Sequence, residues 1–310
     1  MTRRLRFATR GSRLALAQTE LAVAALRAVT PDLDAEVVEI ATEGDRDRTT
    51  PLTVLGGRGV FVVAVEQALL DGRADVAVHS LKDVPSTPVA GLVLGAYLAR
   101  GDARDAFVGQ GGRRLAELPP GARVGTSSKR RAGLLHALRP DLVLVDIRGN
   151  VDTRLRKVAD GEYDGTVLAA AGLERLGRLD EAGQLFEAME FLPAPGQGVI
   201  ALECRAGDAD TCALLAAVDH HATRVAATAE RAFLAALGSG CELPVGAYAR
   251  LDGELVALRA MLGGDPDAGG DMARAPVFGD ASARHEEAAL MGRELGTRLL
   301  AAFQSGAAPG

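Results

Sequence analysis

Short apolar runs alternate with amphipathic stretches along the chain, and that pattern predicts an α/β fold. Leu5–Ala8 reads as a strand. Ser12 is placed to cap a following helix in which Leu14, Ala17, Leu21, Ala25 and Ala28 recur at helical spacing. Val37–Ile40 predicts a second strand and Phe61–Leu70 a second helix; Asp71-Gly72-Arg73-Ala74-Asp75 is a turn into the apolar strand Val76–Val78. The order then returns: strand Arg123–Gly125, Thr126-Ser127-Ser128 capping a helix through Leu138, strand Leu142–Ile147, turn Asp160–Asp164, strand Thr166–Leu168. The chain is therefore read as internally duplicated. The first copy carries the longer connection, Gly44–Val60, whose glycines and charges predict a mobile loop.

Crossings between the two copies are expected at Ala99–Asp105 and Pro193–Gly198, with Val199–Glu203 returning as a strand to the first copy. From Thr223 the character changes: a helix to Leu237, the loop Gly238-Ser239-Gly240-Cys241, and the runs Val245–Leu251 and Glu254–Met261 hinged by Asp252-Gly253. Pro276–Phe278 predicts one more strand. Ser282–Phe303 predicts a closing helix with Leu290, Leu295 and Leu299 on its apolar side. The expected organisation is residues 1–98 with 199–217, residues 104–193, and residues 221–310 as a C-terminal α+β domain.

Composition narrows the classes. A chain of 310 residues with 48% apolar and 25% charged residues is globular and large enough for two or three domains. A formal charge of −6 argues against a nucleic-acid partner, since phosphate contacts come with a basic surface. The N-terminus lacks the apolar core of an export signal and no run is long enough to span a bilayer, so a cytoplasmic protein without a membrane partner is expected, a monomer by default. Cys204, Cys212 and Cys241 form neither a disulfide framework nor a Cys-x-x-Cys pair, and Asp219-His220-His221 has no further ligand at a recognisable spacing, so no metal site is predicted. Lys82, Lys129 and Lys157 are the only lysines among 35 basic residues, so a single arginine carries little weight.

Three segments nevertheless concentrate chemistry. His79-Ser80-Leu81-Lys82-Asp83 follows the buried strand Val76–Val78, and strand ends are where α/β sites collect; a surface ion pair before Pro85 is the plainer alternative, with His79 read as structural. Gly125-Thr126-Ser127-Ser128-Lys129-Arg130-Arg131 puts hydroxyls and free N–H groups at a helix start but cations at the unfavourable end of its dipole, an arrangement that an anion would compensate. Arg148-Gly149-Asn150-Val151-Asp152-Thr153-Arg154 follows the matching strand of the second copy, and Arg10 and Arg175 hold comparable loop or helix-end positions. Guanidinium groups pair bidentately with carboxylates, so a ligand with several acidic side chains suits the set. Cys241, between glycines, could be a nucleophile or an attachment point, or simply a small buried side chain.

Taken together, Ala8 through Leu16, His79 through Pro85, Gly125 through Arg131, Arg148 through Arg154, Pro195-Gly196-Gln197-Gly198 and Gly240-Cys241 resemble, in order and spacing, the hydroxymethylbilane synthase (porphobilinogen deaminase) family from about residue 5 to the end. The resemblance implies two periplasmic-binding-protein-like α/β domains flanking a cleft and a C-terminal α+β domain with a three-stranded antiparallel sheet. It implies a dipyrromethane cofactor bound as a thioether to Cys241, porphobilinogen as substrate, and Asp83 as the catalytic carboxylate. Arg10, Ser12, Ser80, Lys82, Thr126, Ser127, Ser128, Arg130, Arg131, Arg148, Arg154 and Arg175 match positions that bind the acetate and propionate groups, with Gln18, Gly149, Asn150 and Gln197 as neighbours. The chain departs from the family at Arg58, where lysine is usual in the lid loop; Phe61 beside it could stack on a pyrrole or pack in a core.

Two other readings share parts of the pattern. A two-lobed anion-binding protein without catalysis would have the same lobes, but it explains neither the third domain nor Cys241. A ligand-sensing regulator would need a helix-turn-helix for which the chain has no spare segment.

Overall fold

A computed structural model describes residues 4–41, 62–238, 244–263 and 275–305. The chain separates into two compact units, residues 1–101 with 198–224, and residues 102–197 with 225–310.

The first unit is a five-stranded sheet ordered β2-β1-β3-β10-β4. It is built from β1 (Arg4–Thr9), β2 (Asp34–Glu39), β3 (Val76–Ser80), β4 (Leu92–Tyr97) and β10 (Ile200–Arg205). β1 runs parallel to β2 and β3, and β10 is antiparallel to both β3 and β4, so Val199–Glu203 does return to the first sheet. Period-two alternation sends Val76, Val78, Leu202 and Cys204 into one core with Phe7, Leu26 and Leu215, and Ala8 and Ala77 into another with Val65, Ala68 and Leu69. α1 (Arg13–Val29) covers the first face and α2 (Val63–Leu70) the second. Burying Phe7 completely contributes about 1.5–3 kcal/mol.

One expectation is corrected in α1. Leu21 is exposed, and the helix buries Gln18, Thr19, Ala22, Val23 and Leu26 instead of the stripe through Leu21 and Ala25. In an Ala/Leu-rich helix several neighbouring stripes are apolar, and the bulk of Val23 and Leu26 selects the one that packs.

The second unit repeats this sheet as β7-β6-β8-β5-β9, from β5 (Asp105–Gly109), β6 (Arg123–Gly125), β7 (Val143–Val145), β8 (Gly165–Ala169) and β9 (Gln184–Leu185). Again three parallel strands are followed by one antiparallel strand and an edge. Side chains repeat as well. Asp75 accepts the backbone N–H of Arg6 at 3.0 Å and donates its own to the Arg6 carbonyl; Asp164 accepts that of Arg123 at 2.7 Å and donates to the Arg123 carbonyl. The duplication read from the sequence is thus present in both topology and hydrogen bonding. α3 (Lys129–Leu138), α4 (Val151–Ala159) and α5 (Ala170–Arg175) complete this lobe, and α6 (Ala209–Ala216) packs in the first unit.

The C-terminal part contributes α7 (His221–Ala236), the antiparallel sheet β11 (Val245–Asp252), β12 (Leu255–Leu262) and β13 (Val277–Arg284), and α8 (Ala288–Ser305). The three-stranded sheet matches expectation, but β13 runs to Arg284, so the closing helix starts at Ala288 and not at Ser282. Ser282 and Arg284 pair in register with Ala257 and Leu255, and that ladder outweighs their helical propensity. Leu290 is exposed; Met291, Leu295, Leu299 and Phe303 form the buried stripe against Val225, Phe233 and the sheet. Among the described residues no helix is long and apolar enough to cross a membrane.

Candidate active site

Both lobes place their candidate groups just beyond the carboxyl ends of parallel strands, where loops and helix N-termini converge. In the first unit Ser12 caps α1, its Oγ accepting the Ala15 N–H at 3.2 Å. Gln18, buried on the same helix, is bonded reciprocally to Ser80, with Nε2 to Oγ at 2.8 Å and Oγ to Oε1 at 3.1 Å. β3 then ends in a single 3-10 turn, Leu81–Asp83, held by the Leu81 N–H on the Val199 carbonyl and the Val84 N–H on the Leu81 carbonyl. Lys82 and Asp83 are half-buried on this turn. Among the described residues the Asp83 carboxylate makes no hydrogen bond or ion pair, so it is held at the strand end without being neutralised.

In the second unit Ser128 caps α3, accepting the Arg131 N–H at 3.4 Å; Thr126 Oγ1 accepts the Ser128 N–H, and Ser127 Oγ donates to the Ile147 carbonyl at 2.6 Å. The cations that open α3 are partly answered from within. Arg130 donates to Asp105 Oδ2 at 2.8 Å and to the Leu192 carbonyl, and Arg131 donates to Asp105 Oδ1 at 2.7 Å and to the Val167 carbonyl. Gln197 Nε2 joins the same carboxylate. Burial alone would raise the Asp105 carboxyl, but the two guanidinium groups outweigh it and hold it well below the usual carboxylate range. Arg130 is thereby committed to the protein's own framework, whereas the buried Nε of Arg131 has no hydrogen-bond partner among the described residues.

The turn after β7 brings Arg148 and Arg154 into the same neighbourhood. Gly149 has φ +113°, a backbone in which a Cβ would meet Thr153 at 2.6 Å, and Asn150 caps α4 by accepting the Thr153 N–H at 3.0 Å. Arg154 Nε donates to the Gly149 carbonyl at 2.9 Å. Its guanidinium is held at about 10, below its ordinary value, first by burial and then by the Arg131 charge; Asp146 works against the shift and Arg148 adds to it. Burial likewise lowers Arg175 at the end of α5. Desolvated guanidinium groups that repel one another mark a surface which gains stability when an anion arrives.

Cys241, Arg58, Phe61 and the loop Gly44–Val60 lie outside the described residues. The sequence reading missed Asp105, the shared partner of Arg130, Arg131 and Gln197. The available signal was a carboxylate at the mouth of the apolar run Ala106-Phe107-Val108, a place where a charge needs a buried partner.

A duplicated α/β chain that gathers desolvated guanidinium groups and capping hydroxyls at its strand ends falls in the class of proteins that hold multiply charged organic acids. Comparison with known proteins narrows this class. Residues 5–213 match the model described as porphobilinogen deaminase, dipyromethane cofactor binding domain, and residues 225–301 the one described as porphobilinogen deaminase, C-terminal domain. Proteins named porphobilinogen deaminase are 53% identical in Roseiflexus sp. (strain RS-1), over 85% of this chain and 87% of that protein, and 48% identical in Brevibacillus brevis, over 84% of each. The chain belongs to the porphobilinogen deaminase family, and the larger matched region is that family's cofactor-binding domain.

Dipyrromethane carries acetate and propionate side chains, and the residues present fit it. The orphaned Nε of Arg131 and the depressed guanidinium of Arg154 are what a polycarboxylate would satisfy.

Proposed function

We propose that this chain is a hydroxymethylbilane synthase that condenses four porphobilinogen molecules head to tail, releases four ammonia and frees the linear tetrapyrrole by hydrolysis, with Asp83 as its catalytic carboxylate. The single observation that carries the residue assignment is the half-buried, unneutralised Asp83 at the end of β3, fixed by a one-turn helix. When bound through Cys241, the dipyrromethane supplies the pyrrole carbon on which the chain starts.

Asp83 does the proton work in this reading. It protonates the departing amine of porphobilinogen, then as a carboxylate stabilises the cation left on that substrate, and afterwards accepts the ring proton displaced by carbon–carbon bond formation. In a partly desolvated site a carboxylate interacts with a cation more strongly than water does. Arg10, Lys82, Arg131, Arg148, Arg154 and Arg175 hold carboxylate side chains of substrate and product, assisted by Ser12, Thr126, Ser127 and Ser128. Arg130 and Gln197 act one step back, by orienting Asp105 and through it Arg131. The reading includes a cytoplasmic monomer that needs no metal or nucleic acid.

The test uses the purified protein. Its intact mass should exceed the sequence mass by one dipyrromethane, and Asp83→Asn should lose turnover while keeping that mass. A bare-mass protein that still turns over overturns the cofactor assignment, and Asp83→Asn with full turnover moves catalysis elsewhere. A carboxylate-binding protein without catalysis would show neither the added mass nor tetrapyrrole product.

A further inference from the structure

Behind the Asp83 turn lies a buried group of titratable side chains that the chemistry above leaves unused. His79 and Glu203 sit on adjacent antiparallel strands, β3 and β10, in a register that pairs Glu203 with Ala77 and Ala201 with His79. The two side chains are therefore diagonal neighbours on one face of the sheet, the face covered by α2. His79 Nε2 is 3.0 Å from Glu203 Oε2, and both side chains are almost entirely buried, at 4% and 5% exposure. Glu66, in the first turn of α2, is buried on the same side between Val65 and Leu69, and among the described residues its carboxyl has no hydrogen-bond partner. Burial raises it, the like charge of Glu203 raises it further, and His79 opposes both.

Three titratable groups in an apolar layer are costly unless they serve a purpose beyond packing, because a buried ion pair contributes little net stability over an apolar replacement of the same shape. Their position suggests the purpose. The last two side chains of β3 are locked on opposite faces, Ser80 to Gln18 on one and His79 to Glu203 on the other, and the turn bearing Lys82 and Asp83 begins at the next residue. The same turn is also tied by the Leu81 N–H on the Val199 carbonyl, just before β10, and by the Val84 N–H on the Leu81 carbonyl. Losing the His79–Glu203 bond would leave the end of β3 located by its backbone ladder and by Ser80–Gln18 alone, and would loosen the side-chain packing behind the turn that carries Asp83.

We propose that His79 and Glu203, with Glu66 buried on the same side, are positioning residues for the catalytic turn, and that the Glu203 carboxylate is the element that fixes the imidazole. A carboxylate only accepts, so it requires a hydrogen on His79 Nε2; an amide in its place accepts or donates equally well, and the ring is no longer held in one tautomer. The inference rests on Asp83 being the catalytic carboxylate.

The test compares Glu203→Gln, His79→Gln and the double variant as purified holoenzymes turning over porphobilinogen. An ångström of misplacement at a reacting group costs about 100-fold, so each single variant is expected to lower kcat by about 10- to 100-fold with KM within about threefold of the parent. Intact mass should still show the dipyrromethane, and the double variant should be no slower than the slower single, because the two residues act as one unit. Parental kcat in Glu203→Gln overturns the proposal. So does a loss in which KM, cofactor mass and thermal midpoint move together, or losses that multiply in the double variant. Should Glu203→Gln fail to accumulate as folded holoenzyme, His79→Gln alone decides by the same kcat and KM criterion. Asp83→Asn run alongside separates the two claims: if it is inactive while Glu203→Gln is normal, only the positioning role fails, and if it is active, the reading beneath it fails.

Discussion

Gln197 Nε2 lies 2.9 Å from Oδ1 of Asp105, the same oxygen that accepts the Arg131 guanidinium at 2.7 Å. A residue of the segment that leaves the second lobe thus shares a carboxylate with a residue in the first turn of α3. Asp105→Asn leaves two buried guanidinium groups facing a neutral amide, and stability should fall by about 3–5 kcal/mol, read from urea unfolding. The pH dependence has a definite sign. The folded carboxyl lies below its unfolded value of about 3.9, so its contribution is complete above that pH and disappears as the solution is acidified through the lower folded value. The parent should lose stability steeply below about pH 4, and the Asn variant should show a shallower slope there.

Glu66 should behave in the opposite sense. Its folded carboxyl is raised by burial and by Glu203, so the folded protein holds that proton after the unfolded chain has released it. Stability is favoured while the group is protonated and declines as pH rises from the unfolded value of about 4.3 through the folded one. Glu66→Gln should flatten that decline. Thermal midpoints collected between acid and neutral pH decide the matter, and parallel curves for parent and variant would mean that Glu66 titrates as an ordinary carboxyl.

Cys204 and Cys212 bring their sulfurs within 3.5 Å, with Cys204 buried and Cys212 half-buried. Burial, and then the hydrogen bond with Cys212, push the Cys204 thiol up to about 12. Since the thiolate is the reactive form, iodoacetamide near neutral pH should modify Cys212 first and reach Cys204 only after unfolding. Peptide mass mapping of the labelled protein reads this directly. Equal labelling of both in the native protein would show that the packing of α6 against β10 opens readily.

Gly149→Ala should damage the second lobe's arginine cluster without touching a charge. The substitution forces a side chain into left-handed backbone and against Thr153, a cost of about 1–3 kcal/mol. The carbonyl that orients Arg154 belongs to this residue, so KM for porphobilinogen should rise more than kcat falls. Steady-state kinetics check the split.

What the sequence disclosed and what it hid divide along physical lines. Ser12 and Ser128 were legible because a helix cap is a local hydrogen bond between residues three apart, and both sit where a cap was needed. The duplication was legible because the Asp-Gly turns before Val76 and Thr166 repeat in one place relative to their strands. β5 went unseen, since Asp-Ala-Phe-Val-Gly is five residues with no period to distinguish strand from loop. The apolar faces of α1 and α8 were misjudged at Leu21 and Leu290, where only the packed partner decides which of several apolar stripes turns inward. His79 and Glu203 are separated by 124 positions, and nothing local in either marks the other.

The order β2-β1-β3-β10-β4 has a consequence for biosynthesis. Among the described residues β4 joins the sheet through β10 alone, whose residues follow the whole inserted second lobe. While the chain is still emerging from the ribosome, β3 presents a bare hydrogen-bonding edge and β4 has no neighbour until Ile200–Arg205 has been synthesised. A truncated chain ending near residue 101 should therefore be sticky and prone to self-association, because the strand that seals its sheet is supplied from the far side of the insertion.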